Sequence, residues 1–403
     1  MRKRIFAALT FALASTISTL SSAAPFTPGN VVVYRIGDGA TTLGSVGHAV
    51  FIDEFTQAGT LVQTIALPTV GSGANLAFVA SGTSTSDGLL TRSADGKCLL
   101  APGYGRDLGT GAGNAAGTGT LASGAAIPRV VAFIAANGTS DTSTALTDAA
   151  VGSNLRSAAS EDCTKAWVSG VNSGTGTAAT AGIHYATRGA TTSVDLTSAT
   201  FNNPRALSVF NGQLYVSSAA GTSTFKGVNT VGAGLPVTGA QIVTRLAGLS
   251  DANNPSSYSF FLADLDAGVA GLDTLYIADD NGSTSNIQKY SFDGATWTAR
   301  GAIGLSGARG ITGIVTGSTV TLFVTNGTAL QKLVDSSGFA TNISGTLAPM
   351  ASAGTNRVFR GVALAPSHPI SVTSSSGSNG SITPATTQQF QLGLTATFTV
   401  TPD

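Results

Sequence analysis

The sequence predicts an all-β fold built from repeated units of four short strands. Three observations carry this. Composition is the first: Gly supplies 51 of 403 residues, charged residues are only 10% and hydrophobic ones 42%. Disordered chains need the opposite balance, and such a composition suits many short strands joined by small-residue turns. The second is a recurring opening line. "RSAASEDCTKAWVSG" at 156, "RALSVFNGQLYVSS" at 205, "RGITGIVTGSTVTLFVT" at 309 and "RGVALAP" at 360 each begin with Arg and a small residue, followed by a short mixed strand. The third is a second strand bearing an aromatic–aliphatic pair: Trp167-Val168, Tyr215-Val216, Tyr276-Ile277 and Phe323-Val324, at spacings of 48, 61 and 47 residues. Repeats of this period belong to architectures that stack one supersecondary unit on the next.

Within each unit the remaining strands can be placed. Third strands are read in "GIHYATRG", "TFKGVNT", "NIQKYSF" and "ALQKLV", and fourth strands in "TSVDLT", "QIVTRLAG" and "TWTARGAI". Asp95-Gly96, Asn211-Gly212 and Asp293-Gly294 stand where hairpins turn, and these dipeptides accept the positive φ of tight turns. "SFFLADLDAGVAGLDTLYIADD" at 259 repeats the two strands without the Arg, and "LLTRSADGKCLLAPG" at 89 is a looser copy. Five units therefore start near 89, 156, 205, 258 and 309. The sixth has only its first strand, at Arg360. Three strands at the N-terminus, "VVVYRIG", "AVFIDEFT" and "TLVQTIALP", complete it and leave no unpaired edge. The arrangement resembles the closure of β-propellers: six blades over 26–366, or seven if 101–155 hides another.

Two segments flank this body. Residues 1–23 read as a signal peptide: Arg2, Lys3 and Arg4, an apolar run from Ile5 to Ala14, then small residues with a cleavage site after Ala23. The protein is thus expected to be exported to the periplasm, cell surface or medium, with no transmembrane segment once the leader is removed. Residues 367–403 form a short β-rich appendage. The "ISVTSSSGSNGSITP" and "TATFTVTPD" stretches resemble the opening half of the divergent internalin-type repeat of bacterial surface proteins. The resemblance implies a surface-protein tail that is incomplete here, the alternative being a β appendage of its own kind.

Chemistry is sparse. Removing the three basic leader residues leaves 17 basic against 20 acidic side chains, so no basic surface supports nucleic-acid binding. There is no G-x-S-x-G, HExxH or CxxC pattern, and His48, His184 and His368 stand in unrelated contexts. "GAGNAA" at 111 lacks the strand, helix and distant acid that a dinucleotide site needs. No cofactor and no metal set are expected. Asp279-Asp280-Asn281-Gly282 reads as the corner between second and third strands rather than a cation loop, since its spacing does not match alternating oxygen ligands. Cys98 and Cys163 are a candidate disulfide between different units, the alternative being two buried thiols. The informative polar set is Arg156, Arg205, Arg309 and Arg360. Repetition places them around one mouth of the central channel, on the face that carries Asp279 and Asp280. Guanidinium groups there suit an anionic or carbohydrate ligand, although a repeated Arg can equally hold neighbouring units together. The reading is an exported binding or scaffold module whose partner is an extracellular glycan or protein. The alternative is an exported propeller hydrolase or lyase acting on carbohydrate or a small ester.

Overall fold

The computed structural model describes residues 23–109, 127–171, 180–197, 201, 203–219, 223–249, 255–281, 286–367, 370–390 and 398–402. Residues 1–22, nearly all of the expected signal peptide, the "GAGNAA" stretch and His368 lie outside them. Among the described residues, no helix is long and apolar enough to cross a membrane.

The fold is an all-β propeller. Among the described residues, four sheets have four strands each, and a nine-stranded sheet divides into two further groups of four joined by one short strand. Unit 1 pairs Val358–Leu364, Val31–Ile36, Gly47–Phe55 and Leu61–Ala66 in that order. Unit 2 comprises Thr91–Arg92, Cys98–Tyr104, Arg129–Ala135 and Ser140–Leu146. Unit 3 runs Leu155–Ala159, Lys165–Gly170, Gly182–Thr187 and Val194–Asp195, and unit 4 Pro204–Phe210, Gln213–Ser218, Gly227–Val231 and Val243–Arg245. Unit 5 has Ser257–Ala263, Thr274–Asp279, Asn286–Phe292 and Trp297–Gly304. Unit 6 has Gly310–Thr316, Thr319–Thr325, Ala329–Asp335 and Ala348–Ser352. A short strand, Val79–Ser81, bridges units 1 and 2. The first strands touch one another in a closed cycle through all six units.

Closure occurs in unit 1, where the chain's two ends meet. Val31 lies opposite Leu364, Val32 opposite Ala363 and Val33 opposite Val362. The described residues of 101–155 include most of the second strand of unit 2 and all of its third and fourth strands. The appendage contains two small strand pairs, Ile370–Val372 with Gln388–Phe390 and Gly380–Thr383 with Thr399–Pro402.

The aromatic–aliphatic pairs explain how the units stack. Successive strand residues point to opposite faces of a sheet, so each pair reaches both neighbours. Trp167 packs into the layer between units 3 and 4, while Val168 packs into that between units 2 and 3. Tyr276 and Ile277 divide in the same way between the layers on either side of unit 5. Phe323 faces unit 1 and Val324 faces unit 5. The core is therefore a ring of inter-unit layers rather than one central mass.

Polar ties cross the same layers. Cys98, at the start of a second strand, is bonded to Cys163, with 6.1 Å between Cα atoms. Cys163 sits in the turn before the second strand of unit 3, at φ +67°. Between units 5 and 6, Lys289 and Asp335 form a fully buried ion pair of 2.9 Å. The Tyr276 hydroxyl donates to the same carboxylate at 2.7 Å. Burial alone would raise the Asp335 pKa, but hydrogen bonds from Ser337, Lys289 and Tyr276 prevail and hold it at about 2.

Two outcomes follow from this pair. Lys289→Met strands a buried carboxylate and should cost about 3–5 kcal/mol in urea unfolding. In the wild type, the depressed Asp335 value means stability that is full above the unfolded-state pKa and lost as pH falls through the folded one. Melting temperatures should therefore drop between about pH 4 and pH 2, with Asp335 accounting for about 2 kcal/mol. Unchanged unfolding of the variant would show that the pair contributes nothing net.

Candidate functional site at the channel mouth

The backbone fixes where the repeated arginines stand. The Leu89 amide donates to the Arg156 carbonyl at 3.1 Å, Ser259 to Arg309 at 3.0 Å and Gly361 to Gly88 at 2.8 Å. In each case the residue after one position bonds the same position of the next unit. The Ser169 and Thr325 hydroxyls likewise donate to the carbonyls of Arg205 and Arg360. The equivalent positions are thus Arg360, Gly88, Arg156, Arg205, Tyr258 and Arg309, taken from unit 1 to unit 6. The small residue after each Arg has a steric cause, because adjacent first strands nearly touch there. A Cβ on Gly361 would run into the Leu90 backbone amide.

The side chains gather around Tyr258. The Arg205 guanidinium carbon lies 4.0 Å from the centre of the Tyr258 ring, and that of Arg309 lies 5.5 Å from it. Such contacts are favourable and tolerate desolvation. Arg309 also pairs with Asp280, with Nη2 at 2.6 Å and Nε at 2.9 Å from one carboxylate oxygen. Arg156 donates through Nη1 to the Asn203 side chain and, at 3.0 Å, to the Pro204 carbonyl. Arg360 donates through Nη2 to the Gly82 carbonyl at 3.2 Å. Among the described residues, Arg156 Nε, Arg205 Nε and Nη1, and Arg360 Nε have no hydrogen-bond partner. Burial, reinforced by the Arg205 charge, brings Arg156 down to about 10. Burial, with the Arg309 charge, does the same to Arg360, against the pull of Asp87. Both remain cationic at neutral pH.

One carboxyl faces these arginines without bonding to them. Asp87 precedes Gly88 and accepts from the Tyr104 hydroxyl and from Asn154 Nδ2, both at 2.7 Å. Burial pushes its pKa up, against hydrogen bonds from Tyr104, Ser84 and Asn154 and the charge of Arg156.

Of the sequence-derived set, all four arginines hold equivalent positions and Asp280 joins them. The Asp279 carboxylate is engaged by backbone amides of its own unit. This residue ends the second strand of unit 5, is 1% exposed, and accepts from the Ser256 and Asn281 amides. Its carboxylate secures the chain entering unit 5. Sequence reading missed Asp87, Gly88 and Tyr258, because a search for a repeated Arg passes over units where another residue holds the place. His184 lies on the third strand of unit 3, bonded to Ser193. Among the described residues, no group of three or more His, Cys, Asp or Glu could hold a metal ion.

No family model matches the chain, and no curated protein matches it in sequence. Solved structures with a similar course of the chain include a nidogen/laminin complex (11% identity, 83% of this chain and 98% of that one, TM-score 0.46). Others are a Niastella koreensis GH74 enzyme (11%, 89% and 60%, TM-score 0.45) and a Pseudomonas aeruginosa periplasmic gluconolactonase (11%, 80% and 99%, TM-score 0.38). Likenesses this distant bear on neither ligand nor chemistry.

Gly88 leaves little room for a methyl group at the mouth itself. It has φ +75°, and a Cβ there would lie 2.9 Å from the Tyr34 ring and 3.1 Å from the Arg360 Cβ. Gly317 has φ +59° but nothing within 4 Å. Gly88→Ala should therefore lose about 1–3 kcal/mol, and more than Gly317→Ala, which carries backbone strain alone. Equal losses in chemical unfolding would mean that Arg360 is not held against Gly88.

Proposed function

We propose that this is an exported binding module that takes an acidic ligand, such as an anionic extracellular glycan, at the arginine-lined mouth of the propeller. The observation that carries the reading is the imbalance of charge. Four guanidinium groups converge, and of these only Arg309 bonds a carboxylate. Arg156, Arg205 and Arg360 retain N–H groups without protein acceptors. A buried charged donor left unpaired costs about 1–3 kcal/mol or more, so an acceptor supplied by a ligand is worth correspondingly more. Arginines serving only to tie units together would spend their donors on the protein, as Arg309 does.

Export is part of the same proposal. It is favoured by the leader-like residues 1–23 and by the Cys98–Cys163 bond, since disulfides persist in oxidising compartments. Residues 367–403 would then act as a surface-repeat-like tail that carries the binding domain outside the cell.

An array of uronate-containing and sulfated oligosaccharides should bind the wild type at low salt. Binding should weaken as ionic strength rises. The Arg156→Ala/Arg205→Ala protein should bind about tenfold less or worse, because each charge-assisted bond is worth about 1.5–3 kcal/mol. Equal binding by both proteins at every salt concentration would leave the arginines structural and the proposal without its site.

A further inference from the structure

Next to the ring of equivalent positions, just before Gly88, stands an acid whose role neither packing nor the anion reading explains. Gly88 is bonded through its carbonyl to the Gly361 amide, next to Arg360, and the following Leu89 amide bonds the Arg156 carbonyl. Asp87 is thereby inserted between the two most buried arginines of the mouth. It is 1% exposed, and its oxygens are held by Tyr104 and Asn154 instead of by either guanidinium. It attracts both arginines at a distance while leaving their N–H groups to another acceptor.

Counting charge gives the ligand class. With Arg309 neutralised by Asp280, the remaining cluster holds three cations and the single anion Asp87, a net excess of two positive charges. Four N–H groups on Arg156, Arg205 and Arg360 lack acceptors. A tetrahedral dianion is opposed by positive charge whether or not Asp87 is protonated, it has enough oxygens to accept those donors, and the guanidinium fork suits it.

We propose that the mouth is a site for a tetrahedral dianion, free or as a phosphate monoester, and that Asp87 is its internal counter-ion, taking up one proton from solvent when the dianion binds. The inference rests on the anion-binding reading above and adds the ligand's charge and a proton. The physical cause is competition. In the free protein, burial raises the Asp87 pKa, while the charges of Arg156 and Arg360 act the other way and favour its ionised form. An anion on the same guanidinium groups cancels that support and adds repulsion, so the carboxylate gains a proton. A proton taken up on binding means that affinity declines as pH rises from the free-state value of Asp87 to its higher bound-state value and is level above that.

Other groups surround Asp87. Unit 1 contributes Arg360 and Tyr34, with His48 close to Gly82, the residue that Arg360 bonds. Unit 2 contributes Tyr104, backed by Arg129 with its guanidinium carbon 5.1 Å from the ring centre, and unit 3 contributes Arg156. Burial pushes Tyr34 and Tyr104 upward, away from neutral pH, and the arginines stay charged. Burial lowers His48 against the pull of Asp38, which makes it the one competing titrant.

Titration calorimetry of the full chain with inorganic sulfate tests this, because sulfate stays a dianion throughout the range from about pH 5 to about pH 8. Repeating it in two buffers of different ionisation enthalpy counts protons. The wild type should take up a proton, and its affinity should fall up to about tenfold per pH unit where uptake is complete. Asp87→Asn, checked for folding by its melting curve, should bind sulfate without proton uptake and more tightly than wild type at the alkaline end. Acetate should bind at least about tenfold more weakly than sulfate. Phenyl phosphate beside inorganic phosphate separates the sources: equal affinity assigns an ester headgroup, and binding of inorganic phosphate alone assigns a free anion, each within the proposal.

Sulfate bound by the wild type without proton uptake would overturn the role of Asp87 while leaving anion binding intact. So would an Asp87→Asn protein with the wild-type pH slope, which would assign the proton to His48. Acetate binding as tightly as sulfate would overturn the dianion. Sulfate binding that survives Arg156→Ala/Arg205→Ala would remove both this inference and the reading beneath it. The proton count on the wild type decides the matter even if Asp87→Asn does not fold.

Discussion

Everything at the mouth depends on one contact that is purely backbone: the approach of each first strand to the next around the channel. The amide-to-carbonyl bonds from Leu89 to Arg156, Ser259 to Arg309 and Gly361 to Gly88 set a common register. In five of the six units the residue after the shared position is small (Ser157, Ala206, Ser259, Gly310 and Gly361), Leu89 being the exception. The pairing of Val31–Ile36 with Val358–Leu364 holds the last first strand in the same ring. Without it, Arg360 would have no fixed relation to Gly88, and the nine-stranded sheet joining units 1 and 2 would open into unpaired edges. The ring thus converts linear repetition into convergence, bringing shared positions 49 or more residues apart in sequence to one place.

Convergence of like charges is costly, and the surroundings show how the cost is met. Tyr258 offers its ring to Arg205 and Arg309, carbonyls of Pro204 and Gly82 accept from Arg156 and Arg360, and Asp280 neutralises Arg309. These partners leave the cluster positive. By contrast, Lys289 and Asp335 between units 5 and 6 are fully buried and mutually satisfied, which is how a charged pair looks when its purpose is cohesion. The difference between the two clusters is the physical basis for treating one as a site and the other as a tie.

Much of the fold was legible because its rules are local. Trp167-Val168 and its counterparts could be read as core pairs since alternation sends one residue to each neighbouring unit, and the strand count required the N-terminal strands to complete the last sheet. Unit 2 was harder to read. A long insertion separates its second and third strands, so Arg129–Ala135 and Ser140–Leu146 did not stand at repeat spacing. The site was half legible. The four arginines share a visible motif, but Gly88 and Tyr258 share only a place in the register, which sequence does not display. Nor does adjacency in sequence tell which of Asp279 and Asp280 meets Arg309. Successive residues at a strand end point apart, and only the turn at Ser256 decides between them.

The central claim is that the shared register gathers Arg156, Arg205 and Arg360 into one anion site. Anomalous diffraction from crystals soaked in selenate, a heavier relative of sulfate, tests it most directly. The account predicts a selenium peak at the mouth, within hydrogen-bonding reach of these guanidinium groups and absent from Arg156→Ala/Arg205→Ala crystals. Selenium peaks confined to other surfaces, with the three arginines turned into protein contacts, would contradict it.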